Sequence, residues 1–246
     1  MTFDKQIKAC LFDMDGLLIN SEDVYTTVYT ELLQKYGKPA LTWDVKYKLQ
    51  GRAGVDAAQI VIDHYGLPKD LTPQMILDIN YKRQLELFPH CKFMPGALEL
   101  VKYLKSKNFA IGLATSSSKK TFKLKTENLK EEFSLFGKHV ITADDVPPGK
   151  SKPQPDIYLT CLKSINDERI LKGEPEISIE ECLVFEDGRP GVVAGITAGA
   201  YVIWVPDKRA VAVMDPQELA IIGKNNEYGV ILGSLEELNK EHFGLQ

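Results

Sequence analysis

The chain has 246 residues, of which 44% are hydrophobic and 26% are charged, a composition typical of a globular protein with one or two domains. Its formal net charge of -4 disfavours nucleic acid as the main partner, because nucleic-acid-binding surfaces are strongly basic. The first residues lack the apolar stretch of a signal peptide and no apolar run approaches the ~20 residues of a membrane span, so we expect a cytoplasmic protein with no membrane partner.

Six short apolar runs predict six strands along the chain. They are KACLF before Asp13, FAIGLAT ending at Thr115, HVIT ending at Thr142, CLVF ending at Phe185, AYVIWV ending at Val205, and GVIL at 229–232. Helical patterns such as PGALELVKYLKSKN lie between most of these runs. Strands that alternate with helices predict an α/β fold with a doubly wound, mostly parallel, Rossmann-like sheet.

The stretch from about 20 to 90 predicts helices alone. Its apolar spacing indicates one helix from Ser21 to Tyr36 and others around 43–49, 55–65 and 73–88. An all-helical insert therefore interrupts the α/β domain after its first strand. Ligands of open parallel sheets bind outside the carboxyl ends of the strands, so an insert at this point is placed to act as a lid.

Polar side chains follow several predicted strands at their carboxyl ends. Asp13 and Asp15 stand in DMDG, and two carboxylates on one side of an extended segment repel each other unless a proton or a cation lies between them. Thr115 and Ser116 offer hydroxyls and amides that suit phosphate oxygens. Glu186 and Asp187 form a second acidic pair that suits a hard cation, and Lys152 adds a positive charge. The order and positions of these groups predict one site at one sheet edge.

Each motif has a simpler interpretation when it is taken alone. A DxD pair also occurs in metal-dependent glycosyltransferases and in turns, TSSS can cap a helix, and a lysine before prolines is usually solvated. The run KKTFKLK at 119–125 is expected to form a solvated helix face. The four cysteines and four histidines show no zinc-ligand or triad spacing, and we expect reduced, packed thiols.

Together the motifs resemble those of the haloacid dehalogenase superfamily of phosphatases. DMDG is similar to the first motif, ATSS to the second, the lysine before PQPD to the third and FEDG to the acidic fourth. The helical insert resembles the first cap type of the superfamily. The resemblance implies a core domain of residues 1–18 and 90–246 and a helical cap domain of residues 19–89.

The resemblance also implies a reaction. Asp13 would attack phosphorus and form an aspartyl-phosphate, and Asp15 would protonate the leaving group and then activate water. Lys152 would add positive charge beside the transferring group, while Thr115 and Ser116 would bind the phosphate.

A magnesium ion is the cofactor that the resemblance implies. Asp13, Asp187 and the backbone carbonyl of Asp15 would hold it, with Glu186 as a further acidic group of the metal site. The enzyme would then be a phosphoric monoester hydrolase that acts on a small phosphorylated metabolite.

Several short sequence segments indicate the subfamily and the class of substrate. WDVK and AAQIVID in the insert, together with FSLF and FGL, are similar to pseudouridine-5'-phosphatases, so pseudouridine 5'-phosphate or a sugar phosphate is a possible substrate. Arg52 in QGRAG is a candidate substrate contact, although a solvated arginine explains it equally well. A sugar phosphomutase of the beta-phosphoglucomutase type is the main alternative, and a non-catalytic binding protein on the same fold is a remote one. The sequence makes no prediction of the oligomeric state.

Overall fold

The fold is that of a computed structural model, in which residues 5–52 and 54–246 are described. Its centre is one six-stranded sheet in which every neighbouring pair of strands is parallel. The strands are β1 (Ala9–Phe12), β2 (Ala110–Ala114), β3 (Val140–Ile141), β4 (Cys182–Glu186), β5 (Tyr201–Trp204) and β6 (Gly229–Ile231). All six predicted strands are present, and the α/β fold class is confirmed.

The order of the strands across the sheet is β3-β2-β1-β4-β5-β6, so β1 lies in the middle. Phe12 at the end of β1 pairs with Leu113 of β2 on one side and with Phe185 of β4 on the other. The residues that follow these three strands therefore leave the sheet at the same edge, as expected for a parallel sheet.

Helices cover both faces of the sheet. After the insert they are α5 (Ala97–Ser106), α6 (Lys119–Lys125), α7 (Lys130–Phe133), α8 (Asp156–Leu171), α9 (Arg189–Ala198), α10 (Lys208–Val211) and α11 (Pro216–Leu219). Alternate strand residues point to opposite faces, and two separate apolar clusters result. Phe12 stacks on Phe185 at 4.5 Å between ring centroids in one cluster, while the fully buried Trp204 belongs to the other.

The helices of the insert are α1 (Ser21–Lys35), α2 (Trp43–Leu49), α3 (Gly54–Tyr65) and α4 (Pro73–Leu87). Each begins within one residue of its predicted start. Their facing apolar side chains form a third cluster, which includes the buried Leu32, Val61 and Ile76. The division into domains at residues 18 and 89 stays a prediction.

The length and apolar character of each helix can be compared with those of a membrane span. Within residues 5–52 and 54–246, none combines the length and the apolar character that crossing a bilayer requires.

Candidate active site

The loop after β1 directs Asp13 and Asp15 to the carboxyl edge of the sheet. The Asp13 amide continues the β1–β4 ladder by donating to the Phe185 carbonyl at 3.0 Å. The chain then turns at Gly16, which has a φ of +80°. A Cβ atom on Gly16 would lie 2.2 Å from Asp187 Oδ2. A glycine is therefore required at this position for both its backbone conformation and its close approach to Asp187.

Lys152 binds the Asp13 side chain from the loop that precedes α8. Its Nζ lies 2.5 Å from Asp13 Oδ1, 2.6 Å from Glu186 Oε1 and 3.0 Å from the Ala114 carbonyl oxygen. An ammonium group has three donors, and all three are used here. Burial alone would lower the pKa of Lys152, but the Asp13 and Glu186 carboxylates outweigh burial and raise this pKa above its usual value. Lys152 is therefore a fixed positive charge beside Asp13.

Glu186 is held by donors on every side. Besides Lys152, the Tyr158 hydroxyl donates to its Oε1, and the amides of Asp187 and Gly188 donate to its Oε2 at 3.2 and 3.3 Å. The side chain is fully buried. Both carboxylate oxygens of Glu186 are thus engaged by neighbouring donors, among them Lys152 and the Asp187 amide.

The carboxylates of Asp13, Glu186 and Asp187 can together hold a metal ion. One oxygen atom of each lies within 4.8 Å of the others, and all three residues are buried. Among the described residues, Asp13 Oδ2 and Asp187 Oδ1 accept no hydrogen bond. Carboxylate oxygens are the ligands that hard divalent cations prefer, so the donor set fits such an ion.

Burial and mutual repulsion raise the pKa values of two members of this acidic group. Burial, followed by the carboxylates of Glu186 and Asp15, raises the pKa of Asp13 to about 8 despite the lowering effect of Lys152. Burial and the Asp13 carboxylate raise the pKa of Asp187 well above its ordinary value. A divalent cation among these oxygens would favour their ionised forms.

Asp15 lies in a different environment from Asp13. Its Oδ1 accepts from the Ser21 hydroxyl at 2.5 Å and from Lys125 Nζ, and its Oδ2 accepts from Thr115 Oγ1 at 3.2 Å and Ser117 Oγ at 2.9 Å. Burial alone would raise the pKa of Asp15, but the charge of Lys125 and these donors outweigh burial and lower it. The pKa values of the two aspartates of DMDG are therefore shifted in opposite directions, because the two side chains contact different partners.

Lys125 is the residue that the sequence interpretation missed. The expectation of a solvated helix face holds for Lys119, Lys120 and Lys123 of α6, which are exposed, but it is wrong for Lys125, which is 1% exposed. Lys125 is the last residue of α6, and its side chain lies between α1 and the loop that follows β2. The buried Phe88 beside it lies at the other end of the insert, so no local pattern identifies this contact.

The predicted phosphate-binding residues follow β2. Thr115 is buried, its amide donates to the Ile141 carbonyl, and its hydroxyl donates to Asp15. The hydroxyl of Ser116 donates to the Gly51 carbonyl of the insert at 3.2 Å. Ser116 therefore joins the sheet edge to the insert, and α6 begins just beyond it at the capping residue Ser118.

A second contact joins the insert to the acidic group. Gln50, which follows α2, is buried and donates from Nε2 to Asp187 Oδ2 at 2.9 Å. The insert consequently covers the sheet edge directly above the acidic side chains.

A cavity of about 350 Å³ lies between the insert and the sheet edge. Asp13, Asp15 and Ser116 are at its base, and Arg52 is at its wall with an exposed side chain whose Nε donates to the Lys48 carbonyl at 2.7 Å. The insert supplies mainly aromatic and aliphatic side chains with a few polar groups: Glu22, Tyr25, Tyr29, Leu41, Lys46, Leu49, Val55, Leu77, Tyr81 and Gln84. The structure thus brings every predicted site residue to one region. Four of them contact the residues at the base of the cavity or lie beside them without lining it: Thr115, Lys152, Glu186 and Asp187.

Comparison with known proteins assigns this arrangement to a family. A model of the haloacid dehalogenase-like hydrolases matches residues 7–199. The chain belongs to the haloacid dehalogenase-like hydrolase family. The resemblance read from the four motifs is confirmed.

Two curated members of the haloacid dehalogenase-like hydrolase family illustrate the range of relatives. The chain is 47% identical, over 100% of both chains, to a probable pseudouridine-5'-phosphatase of Saccharomyces cerevisiae. It is 36% identical to (DL)-glycerol-3-phosphatase 2 of Arabidopsis thaliana over 81% of this chain and 79% of the relative.

A solved structure agrees on the fold of this haloacid dehalogenase-like hydrolase. A hydrolase of the family from Deinococcus radiodurans, with bound phosphate and sodium, superposes with a TM-score of 0.73 over 98% of each chain at 23% identity. This similarity supports the fold.

Proposed function

We propose that the protein is a magnesium-dependent phosphatase that hydrolyses a small phosphomonoester through an aspartyl-phosphate on Asp13. The observation that carries the proposal is the placement of Asp13 at the base of a cavity, against the Lys152 ammonium and beside Asp187. A nucleophile, a fixed cation and a cation-binding carboxylate are the parts that transfer of a phosphoryl dianion requires. The phosphatases among the curated relatives support the same class of reaction, a phosphoric monoester hydrolase.

In the first half of the reaction, a carboxylate oxygen of Asp13 attacks phosphorus and the bond from phosphorus to the ester oxygen breaks. Asp15 is ionised in the free protein, takes up a proton when the substrate binds and gives that proton to the departing alkoxide. Lys152 stays ion-paired with Asp13 and offsets the negative charge that would repel the phosphate. The products of this half are the free alcohol and an aspartyl-phosphate.

In the second half, a water molecule attacks phosphorus and gives a proton to Asp15. The acyl–phosphate bond at Asp13 breaks, inorganic phosphate leaves and both aspartates regain their starting states. The insert excludes bulk water from the base of the cavity through its contacts from Gln50 and Gly51.

Magnesium is the cofactor that we assign to the acidic group. Asp13, Asp187 and the Asp15 carbonyl would hold it, and Glu186 would support the group through its contacts with Lys152 and the Asp187 amide. When bound, the ion supplies positive charge for the transferring phosphoryl group and its developing negative oxygens.

The size and lining of the cavity favour a substrate with a ring. A volume of about 350 Å³ exceeds what a glycerol phosphate fills, and the walls carry Tyr25, Tyr29 and Tyr81 together with the polar Gln84. These groups suit a planar base attached to a sugar phosphate. The yeast relative named as a probable pseudouridine-5'-phosphatase supports pseudouridine 5'-phosphate as the first substrate to test.

The experiment is a substrate panel with phosphate release as the readout. Purified protein is incubated with MgCl₂ and pseudouridine 5'-phosphate, uridine 5'-phosphate, glycerol 3-phosphate or a hexose phosphate. We expect the highest kcat/KM for a nucleoside monophosphate, and no release by Asp13→Asn or in EDTA.

The outcome that would overturn the proposal is full activity in EDTA or in the Asp13→Asn protein. Conversion of a hexose phosphate to its isomer without release of phosphate would instead identify a phosphomutase.

A further inference from the structure

The Lys125 ammonium is a buried cation beside Asp15, and its neighbours accept all the hydrogen bonds that it can donate. It donates to Asp15 Oδ1, to the Tyr25 hydroxyl at 2.9 Å and to Ser117 Oγ at 2.8 Å. An ammonium group has three donors and no acceptor, so these contacts satisfy it completely. The aromatic faces of Tyr25 and Phe88 lie 4.7 and 4.8 Å from Nζ and complete the enclosure.

The position of Lys125 excludes direct contact with a ligand in the cavity. Its side chain is fully enclosed, and it does not line the cavity, whereas Asp15, Tyr25 and Ser117 do. Any effect of Lys125 on the reaction must therefore pass through the groups that it touches. Asp15 is the one charged group among them.

The Asp15 carboxylate is oriented by this contact together with three hydroxyl groups. Ser21, Thr115 and Ser117 supply one hydrogen bond each, and Lys125 supplies the ion pair. Among the described residues, Lys125 is the one cation within ion-pair distance of Asp15. Both partners of the Lys125–Asp15 contact are ionised, so this contact adds an ion-pair attraction that the hydroxyl bonds lack, and loss of Lys125 frees the carboxylate more than loss of one hydroxyl does.

We infer that Lys125 is a positioning residue that holds Asp15 in place for proton transfer to the leaving group. The inference rests on the proposed function, in which Asp15 is the acid and base. Lys125 is distinct from Lys152, because Lys152 binds Asp13 and Glu186 on the other side of the site. Lys125 and Lys152 are thus two buried lysines that each form an ion pair with one aspartate of DMDG.

The test measures how strongly the reaction depends on protonation of the leaving group. We compare kcat/KM for phenyl phosphate and p-nitrophenyl phosphate, because these aryl esters differ only in the para-nitro group and phenol is the more basic leaving group. This ratio reports on the first half of the reaction. The variants are Lys125→Met, Asp15→Asn and the double variant, with Lys123→Met as the matched control from the exposed face of α6.

We expect Asp15→Asn to lower kcat/KM for phenyl phosphate by about 100-fold and to affect p-nitrophenyl phosphate much less, as for loss of a general acid. Lys125→Met should change the ratio in the same direction by about 10-fold, a fraction of that loss. In the double variant Lys125→Met should add almost nothing, because the residue acts through Asp15. Lys123→Met should match the wild type.

The outcomes separate the inference from the proposed function. If wild-type protein hydrolyses neither ester, or Asp15→Asn leaves the ratio unchanged, the proposed function fails and the inference fails with it. Two results would overturn the inference alone, provided that Asp15→Asn changes the ratio. In one, Lys125→Met lowers kcat/KM equally for both esters; in the other, Lys125→Met has its full effect on kcat/KM in the double variant as well.

A second variant covers the case in which Lys125→Met does not fold. Tyr25→Phe removes one acceptor from Lys125 and keeps the ring, so we expect a change of the ratio in the same direction but smaller. An unchanged ratio in a folded Tyr25→Phe protein then overturns the inference.

Discussion

Gly191 lies directly against the carboxylate of Glu186: a Cβ at position 191 would stand 1.7 Å from Glu186 Oε1 and 2.0 Å from its Cδ. Gly191 is in the first turn of α9, which follows β4 and the Glu186–Asp187 pair. The close approach lets the helix begin beside the acidic group. The absence of a side chain at this position is therefore a requirement of the site.

We expect Gly191→Ala to destabilise the protein, although a helical Gly→Ala change usually stabilises by about 0.5–1 kcal/mol. The new methyl group would displace Glu186 from Lys152 and Tyr158, at a cost of about 1–3 kcal/mol in the free energy of unfolding. Urea unfolding followed by circular dichroism measures this difference. Gly188→Ala is the control, because a Cβ there would meet its nearest atom, the Gln50 carbonyl carbon, at 3.4 Å. Equal stability of the two variants would contradict the prediction.

Without metal, the stability of the protein should fall as the pH rises from about 4 to about 8. The folded chain keeps a proton on Asp13, whose pKa is about 8, whereas an unfolded aspartate with a pKa of 3.8 has released it. The folded state therefore binds more protons in this range, and its advantage is lost as the pH approaches 8. Thermal unfolding in EDTA at several pH values measures the trend, and Asp13→Asn should weaken it.

The increase in Tm produced by magnesium should become larger as the pH rises. Burial raises the pKa values of Asp13 and Asp187, so a metal ion must displace protons from them at low pH. Titration calorimetry in two buffers of different ionisation enthalpy should detect proton release on binding near pH 7. A magnesium-induced Tm shift that does not change with pH would be inconsistent with a site built from these carboxylates.

Lys46→Met should destabilise the insert. Lys46 is 2% exposed, and its Nζ lies 3.0 Å from Glu22 Oε2 and 2.5 Å from both the Glu22 carbonyl and Thr26 Oγ1. Its loss leaves Glu22 without its cation, and we expect the free energy of unfolding to fall by about 3 kcal/mol, typical of a broken buried pair. Lys48→Met, on the exposed face of the same helix, should change it by less than about 0.5 kcal/mol. Matching Tm values for the two variants would contradict this role.

Arg52→Ala should raise KM for the best ester of the panel more than for p-nitrophenyl phosphate. The Arg52 side chain is exposed at the cavity wall, where it can reach the part of a long substrate that lies away from phosphorus. A small aryl ester does not extend to this position, so its KM serves as the internal reference. Equal changes in KM for both esters would indicate that Arg52 is only a solvated side chain.

The positions of Asp13, Thr115 and Asp187 could be predicted from the sequence, because each follows a short apolar run in a chain with strand and helix alternation. Parallel strands all present their carboxyl ends to one edge, so neighbouring strands bring these residues together. The starts of the insert helices were predictable for a similar local reason, namely apolar spacing. The fold class and the composition of the site are therefore largely local information.

The different environments of Asp13 and Asp15 were decided by tertiary structure. Lys125 is one of several lysines in a short basic helix, and its local sequence does not distinguish it from the exposed Lys123. Its burial depends on how α6 packs against Tyr25 and Phe88 of the helical insert, which are 100 and 37 positions away in the chain. Likewise, the reach of Gln50 to Asp187 depends on how the insert lies over the sheet edge. The sequence determined which chemical groups meet at the sheet edge. The packing of distant elements determined which lysine pairs with which aspartate, because a buried charge is stabilised by partners that only the folded chain brings within reach.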